Sequence, residues 1–290
     1  MARIAVTGAS GFLGRHVLSA LAEATGDIVA HARSPRLEHF LSRRPRWTYF
    51  DLADAQDNGF ARLGRPDALI HLAWEGLPNY LSPRHVEVEL PTQSRFLKGL
   101  VAAGLRTLVV AGTCFEYGMR SGCLDEGMTP RPANPYGAAK DALRRELEAL
   151  SEATQFDLRW LRLFYLYGPG QSPNSLYSQF RAAVERGDRQ FDMSGGRQLR
   201  DFMKVSDAAE AIVAAALAPA APGILNICSG VPTSVRRLVE RWRAELGSDI
   251  ELNLGALGYP AYEPFEFWGD DRRLAGLAQS TPARRVASLA

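Results

Sequence analysis

Tyr136 and Lys140 stand four positions apart in the stretch Tyr136-Gly137-Ala138-Ala139-Lys140. On a helix that spacing puts both side chains on one face, about one turn apart. The flanks predict such a helix. Pro132 and Pro135 precede it, and residues 141–152 are rich in Ala, Leu, Glu and Arg. An ammonium beside a phenol favours the phenolate and lowers the tyrosine's pKa from its ordinary value of about 10. A tyrosine tuned in that way shuttles a proton to or from an alcohol or sugar oxygen near neutral pH. An ordinary half-exposed helix pair has the same spacing, so the rest of the chain must supply the partners.

The chain opens with an element that positions a ligand. Residues 3–7 predict a short apolar strand, followed by a turn with Gly8, Gly11 and Gly14. Helical periodicity then runs through Phe12, Leu13, Val17, Leu18 and Leu21. Strand, glycine turn and helix open a dinucleotide-binding βαβ unit, in which a pyrophosphate sits on the positive end of the helix. Gly8, Ser10, Gly11, Phe12, Leu13 and Gly14 are therefore cofactor-binding candidates. Residues 28–32 predict the second strand. Its end reads His31-Ala32-Arg33-Ser34, without the carboxylate that an NAD site places there for the ribose 2′-hydroxyl. Arg33, with Arg36 as a helper, suits a 2′-phosphate instead. That points to NADP(H), with NAD(H) as the alternative; a solvated loop arginine is the plain use. Further strands are expected over 47–51, 67–72, 107–111 and 158–166, and helices over 86–103 and 177–186. His71, inside an apolar strand, is expected to be structural. The loop 74–82, with Trp74, Gly76, Pro78 and Tyr80, is a plausible substrate wall. Helices are also expected from Ser206 and Asp207 to residue 217, and from Thr233 to residue 246, and the aromatic-rich end (Tyr259, Tyr262, Phe265, Phe267, Trp268) is expected to fold over the second lobe.

Composition narrows the function classes. Thirty-four basic residues against 32 acidic ones leave a net charge of +2, so no strong field points to nucleic acid or a membrane surface. No apolar stretch is long enough to span a bilayer. Cys114, Cys123 and Cys228 are odd in number and have no metal-type spacing, so no metal site is expected and a reduced, cytoplasmic setting fits best. At 290 residues the chain suits a large α/β domain with a smaller lobe.

Taken together the motifs resemble the extended short-chain dehydrogenases/reductases of the NAD(P)-dependent nucleotide-sugar epimerase/dehydratase family. The matching residues are 7–14, Asp51-Leu52, His71-Leu72-Ala73, 113–118, Tyr136 with Lys140, Tyr167-Gly168-Pro169-Gly170, Arg200-Asp201-Phe202 and Asp207. The resemblance implies a Rossmann-type doubly wound parallel sheet with a smaller C-terminal α/β substrate-binding lobe. It sets the cofactor domain at 1–168, with a return to it around 200–220, and the nucleotide-sugar lobe mainly at 169–290. It makes Thr113, Tyr136 and Lys140 the catalytic set: Thr113 bonds the reacting oxygen, Tyr136 is the acid/base, and Lys140 lowers its pKa and holds the nicotinamide ribose. Asp51 and Leu52 are expected near the adenine, and Leu72 and Ala73 beside the cofactor. Trp74, Cys114, Phe115, Asn174 and Arg200 are the substrate-binding candidates. Arg200 suits a diphosphate, or a structural ion pair with Asp201. A homodimer through the helices near 86–103 and 136–152 is also implied.

Departures from the family pattern narrow the chemistry. Dehydratases of the family carry Asp-Glu directly after the catalytic Thr; here those positions are Cys114 and Phe115. Glu116 comes one residue late, and in a strand-like segment one step turns a side chain to the other face. The cysteine and histidine of the family's epimerase/reductases have no counterpart, since Cys114 is one residue after Thr113 and position 170 is Gly. Tyr165 replaces a usual Asn. The expected activity is NADPH-dependent reduction of a nucleoside-diphosphate 4-keto-6-deoxyhexose, as in bacterial deoxysugar pathways of O-antigen and capsule. A nucleotide-sugar 4-epimerase with retained NAD, and an NADP-binding sensor without catalysis, are the alternatives.

Overall fold

The computed structural model describes residues 2–35, 45–55, 58–219, 223–260 and 262–280; Arg36 lies outside them. In chain order the first elements are β1 (Ile4–Thr7), α1 (Phe12–Ala24), β2 (Ile28–Ala32), β3 (Arg46–Tyr49), α2 (Gly59–Arg62), β4 (Ala68–His71), α3 (Leu90–Ala102), β5 (Thr107–Thr113), β6 (Gly122–Leu124) and α4 (Pro135–Thr154). Then follow β7 (Asp157–Leu163), β8 (Tyr165–Tyr167), α5 (Leu176–Arg186), β9 (Gln190–Met193), β10 (Leu199–Lys204), α6 (Val205–Leu217) and β11 (Gly223–Ile227). The last elements are β12 (Pro232–Ser234), α7 (Val235–Glu245), β13 (Glu251–Leu254), β14 (Phe267–Gly269) and α8 (Arg272–Ser280).

Among the described residues, seven strands form one parallel sheet in the order β11-β7-β5-β4-β1-β2-β3. Its central strands are buried on both faces, which is why they read as unbroken apolar runs. Successive side chains feed opposite cores. Ile4, Val6 and Val109 pack with Val17, Leu21 and Ile212 of α1 and α6. Ala5, Leu108 and Val110 pack with Phe96, Leu97, Leu143 and Leu147 of α3 and α4. Helices on both faces make the sheet doubly wound. A separate cluster built on Phe180, Phe191, Leu238, Trp242 and Ile250 joins α5 and α7 to the β9–β13 pair.

Four boundaries differ from the sequence expectation. The strand expected over 158–166 is two strands: β7 ends at Leu163, Phe164 N–H donates to Ile227 O (3.1 Å), and β8 pairs with β10 instead. Tyr165 thus belongs to another sheet from Arg162. After Thr113 the chain does not stay extended; residues 114–117 form a 3₁₀ turn closed by a reciprocal cap between Thr113 and Glu116. Neither Ser206 nor Asp207 caps α6: Lys204 occupies that position, and Ser206 Oγ donates to Asp207. Ser234, rather than Thr233, starts α7, its hydroxyl accepting from Arg237 N. Among the described residues no helix is long and apolar enough to cross a membrane, and no group of three or more potential metal ligands occurs.

Candidate active site

Tyr136 enters through the first turn of α4. Asn134 precedes the helix and its carboxamide oxygen accepts from Gly137 N (2.8 Å), while Pro135 takes the first helical position. Tyr136 N–H donates to Tyr80 O (3.2 Å), which ties the helix start to the 74–82 loop. The phenol is then enclosed by rings. Tyr80, His85, Trp74 and Phe115 have centroids 5.7, 5.2, 6.0 and 6.4 Å from that of Tyr136.

That enclosure overturns the expected electrostatics. Burial pushes the Tyr136 phenol well above its ordinary range, with a hydrogen bond to Thr113 pulling the other way. Lys140 makes its hydrogen bond to the backbone. Its Nζ donates to Ala111 O (2.8 Å), sits 3.9 Å from the centre of the Trp74 ring, and is 5.9 Å from that of Tyr136. Burial lowers Lys140 to about 7. In this geometry burial, and not Lys140, dominates the phenol's pKa and favours its protonated form.

Thr113 ends β5, buried, with its hydroxyl accepting from Phe115 N (3.3 Å) and its own N–H donating to Glu116 Oε1 (2.9 Å). The structure therefore brings Thr113, Tyr136 and Lys140 to one place. Glu116 lies directly behind Thr113, engaged by other groups. Its carboxylate is fully buried and receives Trp160 Nε1 (2.9 Å) and Arg162 Nε (2.8 Å). The sequence expectation placed Glu116 in a strand-like segment; the segment is instead a 3₁₀ turn, and the carboxylate is tied to Thr113 N, Trp160 and Arg162.

His85 is the surprise of the pocket. His85 is buried, with Nδ1 accepting from Trp74 Nε1 (3.1 Å) and Nε2 facing Asn79 O (2.8 Å). Both ring nitrogens are thus occupied, and the imidazole braces the indole on which Lys140 rests. Only contact with the Trp74 loop identifies its role; nothing in its sequence neighbourhood does.

The glycine turn fits a pyrophosphate. Gly8 has φ +71°, and a Cβ there would fall 2.8 Å from Ala73 N. A Cβ on Gly14 would fall 2.7 Å from Ala9 Cα. These absences of side chain keep the turn close to β4 and to α1, whose first turn has no side-chain cap. The backbone of Leu72 and Ala73 borders the turn, as expected for cofactor-lining residues. Ser10, Phe12 and Leu13 lie in or directly after it, half-buried. Asp51 is exposed at the end of β3 and its Oδ1 accepts from Ala53 N (2.9 Å); Leu52 is buried beside it. Arg33 is exposed and ion-paired with Glu75.

The substrate candidates divide. Trp74 and Phe115 ring Tyr136. Cys114 packs inward with Tyr117, Leu124, Phe164 and Phe267, its thiol pushed up by burial. Asn174 stands exposed on the turn before α5 and is not among the residues around Tyr136. Arg200 is buried and pairs with Glu263 (3.0 Å), not with Asp201. Asp201 instead accepts from Ser229 N (2.7 Å), Gly230 N (2.9 Å) and Gly269 N (3.2 Å). Tyr165 donates to Glu263 as well. Glu263 lies in the aromatic-rich C-terminal segment, where no local pattern marks it as the partner of a residue 63 positions earlier.

His71 is structural, as its position in an apolar strand suggests. Its Nδ1 faces Thr7 Oγ1 (2.8 Å). Burial lowers His71 to about 3, and lowers His31, whose Nε2 faces Phe50 O (2.9 Å), to about 4. Both pKa values lie below the unfolded value of about 6.5. The unfolded chain therefore binds these protons first as pH falls, and their contribution to stability, complete above about pH 6.5, is lost towards pH 4 and below. The expected result is a urea midpoint that declines across that window, with a shallower slope in His31→Gln. An unchanged slope would remove His31 from the acid limb.

Comparison with known proteins places these features. The model of the NAD dependent epimerase/dehydratase family matches residues 4–228. A dTDP-6-deoxy-L-talose 4-dehydrogenase (NAD(+)) of Aggregatibacter actinomycetemcomitans is 29% identical, covering 92% of this chain and 98% of its own. A dTDP-L-rhamnose 4-epimerase of Burkholderia thailandensis is 30% identical, covering 85% and 82%. The solved structure of MoeE5 with UDP-glucuronic acid and NAD superposes with a TM-score of 0.81 at 28% identity, covering 98% of this chain and 95% of that one.

Proposed function

The chain belongs to the NAD dependent epimerase/dehydratase family, and from that premise we propose that it is an NADPH-dependent ketoreductase acting on a nucleoside-diphosphate 4-keto-6-deoxyhexose. One observation carries this reading: Thr113 and Tyr136 meet in a pocket whose neighbouring acids and bases are already engaged. Glu116 is bound to Arg162 and Trp160, and both nitrogens of His85 are occupied. Dehydration needs a further acid or base on the sugar; ketoreduction needs one proton and one hydride.

When bound, the reduced nicotinamide supplies the hydride. Thr113 and Tyr136 hydrogen-bond the C4 oxygen and stabilise the alkoxide charge that develops there, and Tyr136 delivers the proton. A desolvated phenol that stays protonated is suited to that direction. Lys140 holds the nicotinamide ribose, and the Gly8–Gly14 turn holds the pyrophosphate. Trp74, Tyr80 and Phe115 give the sugar an apolar wall, which suits a C6 methyl group better than a hydroxyl. The NAD in the name of the Aggregatibacter relative and in the MoeE5 complex supports a nicotinamide dinucleotide, with NAD(H) as the alternative form. That relative is named for oxidation at C4 of a dTDP-6-deoxyhexose, the reverse of the proposed step. The nucleotide sugar is held mainly by residues 169–290, and a homodimer through α3 and α4 belongs to the same proposal.

Mixing the protein with NADPH and a dTDP-4-keto-6-deoxyhexose is expected to deplete absorbance at about 340 nm, the band of the reduced nicotinamide. Absence of depletion with several nucleotides would overturn the reductase assignment. The Burkholderia relative's name favours one second reading, a C4 epimerase with the same Thr113, Tyr136 and Lys140. Interconversion of two C4 epimers without added cofactor would establish it.

A further inference from the structure

The end of β2 has no carboxylate in sequence, but it has one in space. Arg33, 61% exposed at its side chain, is ion-paired with Glu75, 38% exposed, from the loop after β4. Glu75 lies two residues beyond Ala73, whose backbone nitrogen borders Gly8 in the glycine turn. It is also anchored. Its N–H donates to Glu89 Oε2 (3.2 Å), and Arg84 Nη2 bridges Glu75 Oε2 (3.2 Å) and Glu89 Oε1 (3.3 Å). Glu89 is buried and also receives Gln93 Nε2 (3.2 Å). Glu75 is thus held through both its backbone and its carboxylate, while Arg33 reaches across to it from the mouth of the cofactor turn.

We propose that Glu75 is a determinant of cofactor preference: it offsets the attraction of Arg33 for a 2′-phosphate and offers the ribose 2′-hydroxyl an acceptor, so that NAD(H) and NADP(H) bind with little discrimination. This rests on the nicotinamide-dinucleotide assignment above. A 2′-phosphate carries between about −1.5 and −2 charges at neutral pH. Placed on Arg33, it stands beside the Glu75 carboxylate and must displace or tolerate it. Arg84 can keep Glu75 neutralised when Arg33 turns to a phosphate, which is why both cofactors remain admissible. The acid that NAD sites place at the end of the second strand is here delivered from the fourth.

Dissociation constants for NAD+ and NADP+ in the whole protein test this directly. Glu75→Gln is expected to shift the NAD+/NADP+ preference towards NADP+ by about tenfold, and Arg33→Ala to shift it towards NAD+ by a similar factor, both effects shrinking at high salt. Glu75→Gln combined with Arg33→Ala should return near the wild-type ratio. If both cofactors bind the wild type and Glu75→Gln leaves their ratio unchanged, the role of Glu75 is overturned and the cofactor assignment stands. If the wild type binds neither, the cofactor assignment fails and the role of Glu75 with it.

Discussion

Replacing Tyr136 by phenylalanine is expected to lower turnover by about a thousandfold, the scale of a lost positioned acid, while cofactor affinity stays within about twofold. The two effects separate because the Tyr136 ring and its hydroxyl have different neighbours. The ring packs against Trp74, Tyr80, His85 and Phe115, and phenylalanine keeps those contacts. The hydroxyl interacts with Thr113, and in the proposed reaction both groups hold the ketone oxygen. Removing it deletes the proton donor and one of the two groups that stabilise the developing alkoxide. Burial keeps the phenol protonated beyond the ordinary tyrosine range, so the reductive rate should not fall on the alkaline side through deprotonation of Tyr136. Lys140→Met is the contrasting variant. Lys140 rests on Trp74 and in the proposed reaction holds the nicotinamide ribose, so its loss should weaken cofactor binding as well as turnover. Steady-state kinetics with a separate binding titration distinguishes the two patterns, and unchanged turnover in Tyr136→Phe would remove it from the mechanism.

What could be read before the structure was whatever the chain encodes locally. The strand-glycine-helix opening is contiguous, so periodicity and three glycines sufficed to place β1, α1 and the turn between them. Tyr136 and Lys140 share one helix, and their common face follows from helical spacing. The doubly wound parallel sheet followed from the family resemblance that these motifs carry together, not from any one apolar run. Apart from the local shifts at the starts of α6 and α7 and in the 3₁₀ turn after Thr113, the misses involve partners distant in sequence. Reference pKa logic treated Lys140 as the phenol's nearest charge, but the cation is drawn to Ala111 O and the Trp74 ring, and the phenol is enclosed by aromatic side chains from three other segments. Arg200 was expected to face a diphosphate or Asp201, and its partner arrives from the C-terminal segment as Glu263. The cofactor preference was judged from the end of β2 alone, and Glu75 lies beyond β4. Charge pairing between remote loops leaves no local spacing to detect.

Breaking the Glu116–Arg162 pair should produce the largest loss of stability from a single side chain. Both side chains are fully buried, at 0% exposure, with Nε 2.8 Å from Oε2. Glu116 also accepts from Thr113 N and Trp160 Nε1, so it joins the end of β5 to β7. Arg162→Met leaves that carboxylate buried and without a cation, a change that costs about 3–5 kcal/mol in such pairs. Removing the charge from both partners is different. Glu116→Gln with Arg162→Met keeps an acceptor for Thr113 N and strands no charge, so most of the stability should return. The pH response identifies the cause. Burial already raises the Glu116 pKa and Arg162 opposes that rise; without the cation the carboxyl moves further above its unfolded value of about 4.3. A carboxyl with a raised folded pKa contributes most below the unfolded value and loses that contribution as pH rises through the folded one. The stability gap between Arg162→Met and wild type should therefore be smaller near pH 5 than near pH 8, and the gap for the double variant should not follow that trend. Urea unfolding at the two pH values decides it: a gap that does not narrow at the lower pH would show that the loss comes from packing around Arg162 and not from an uncompensated charge.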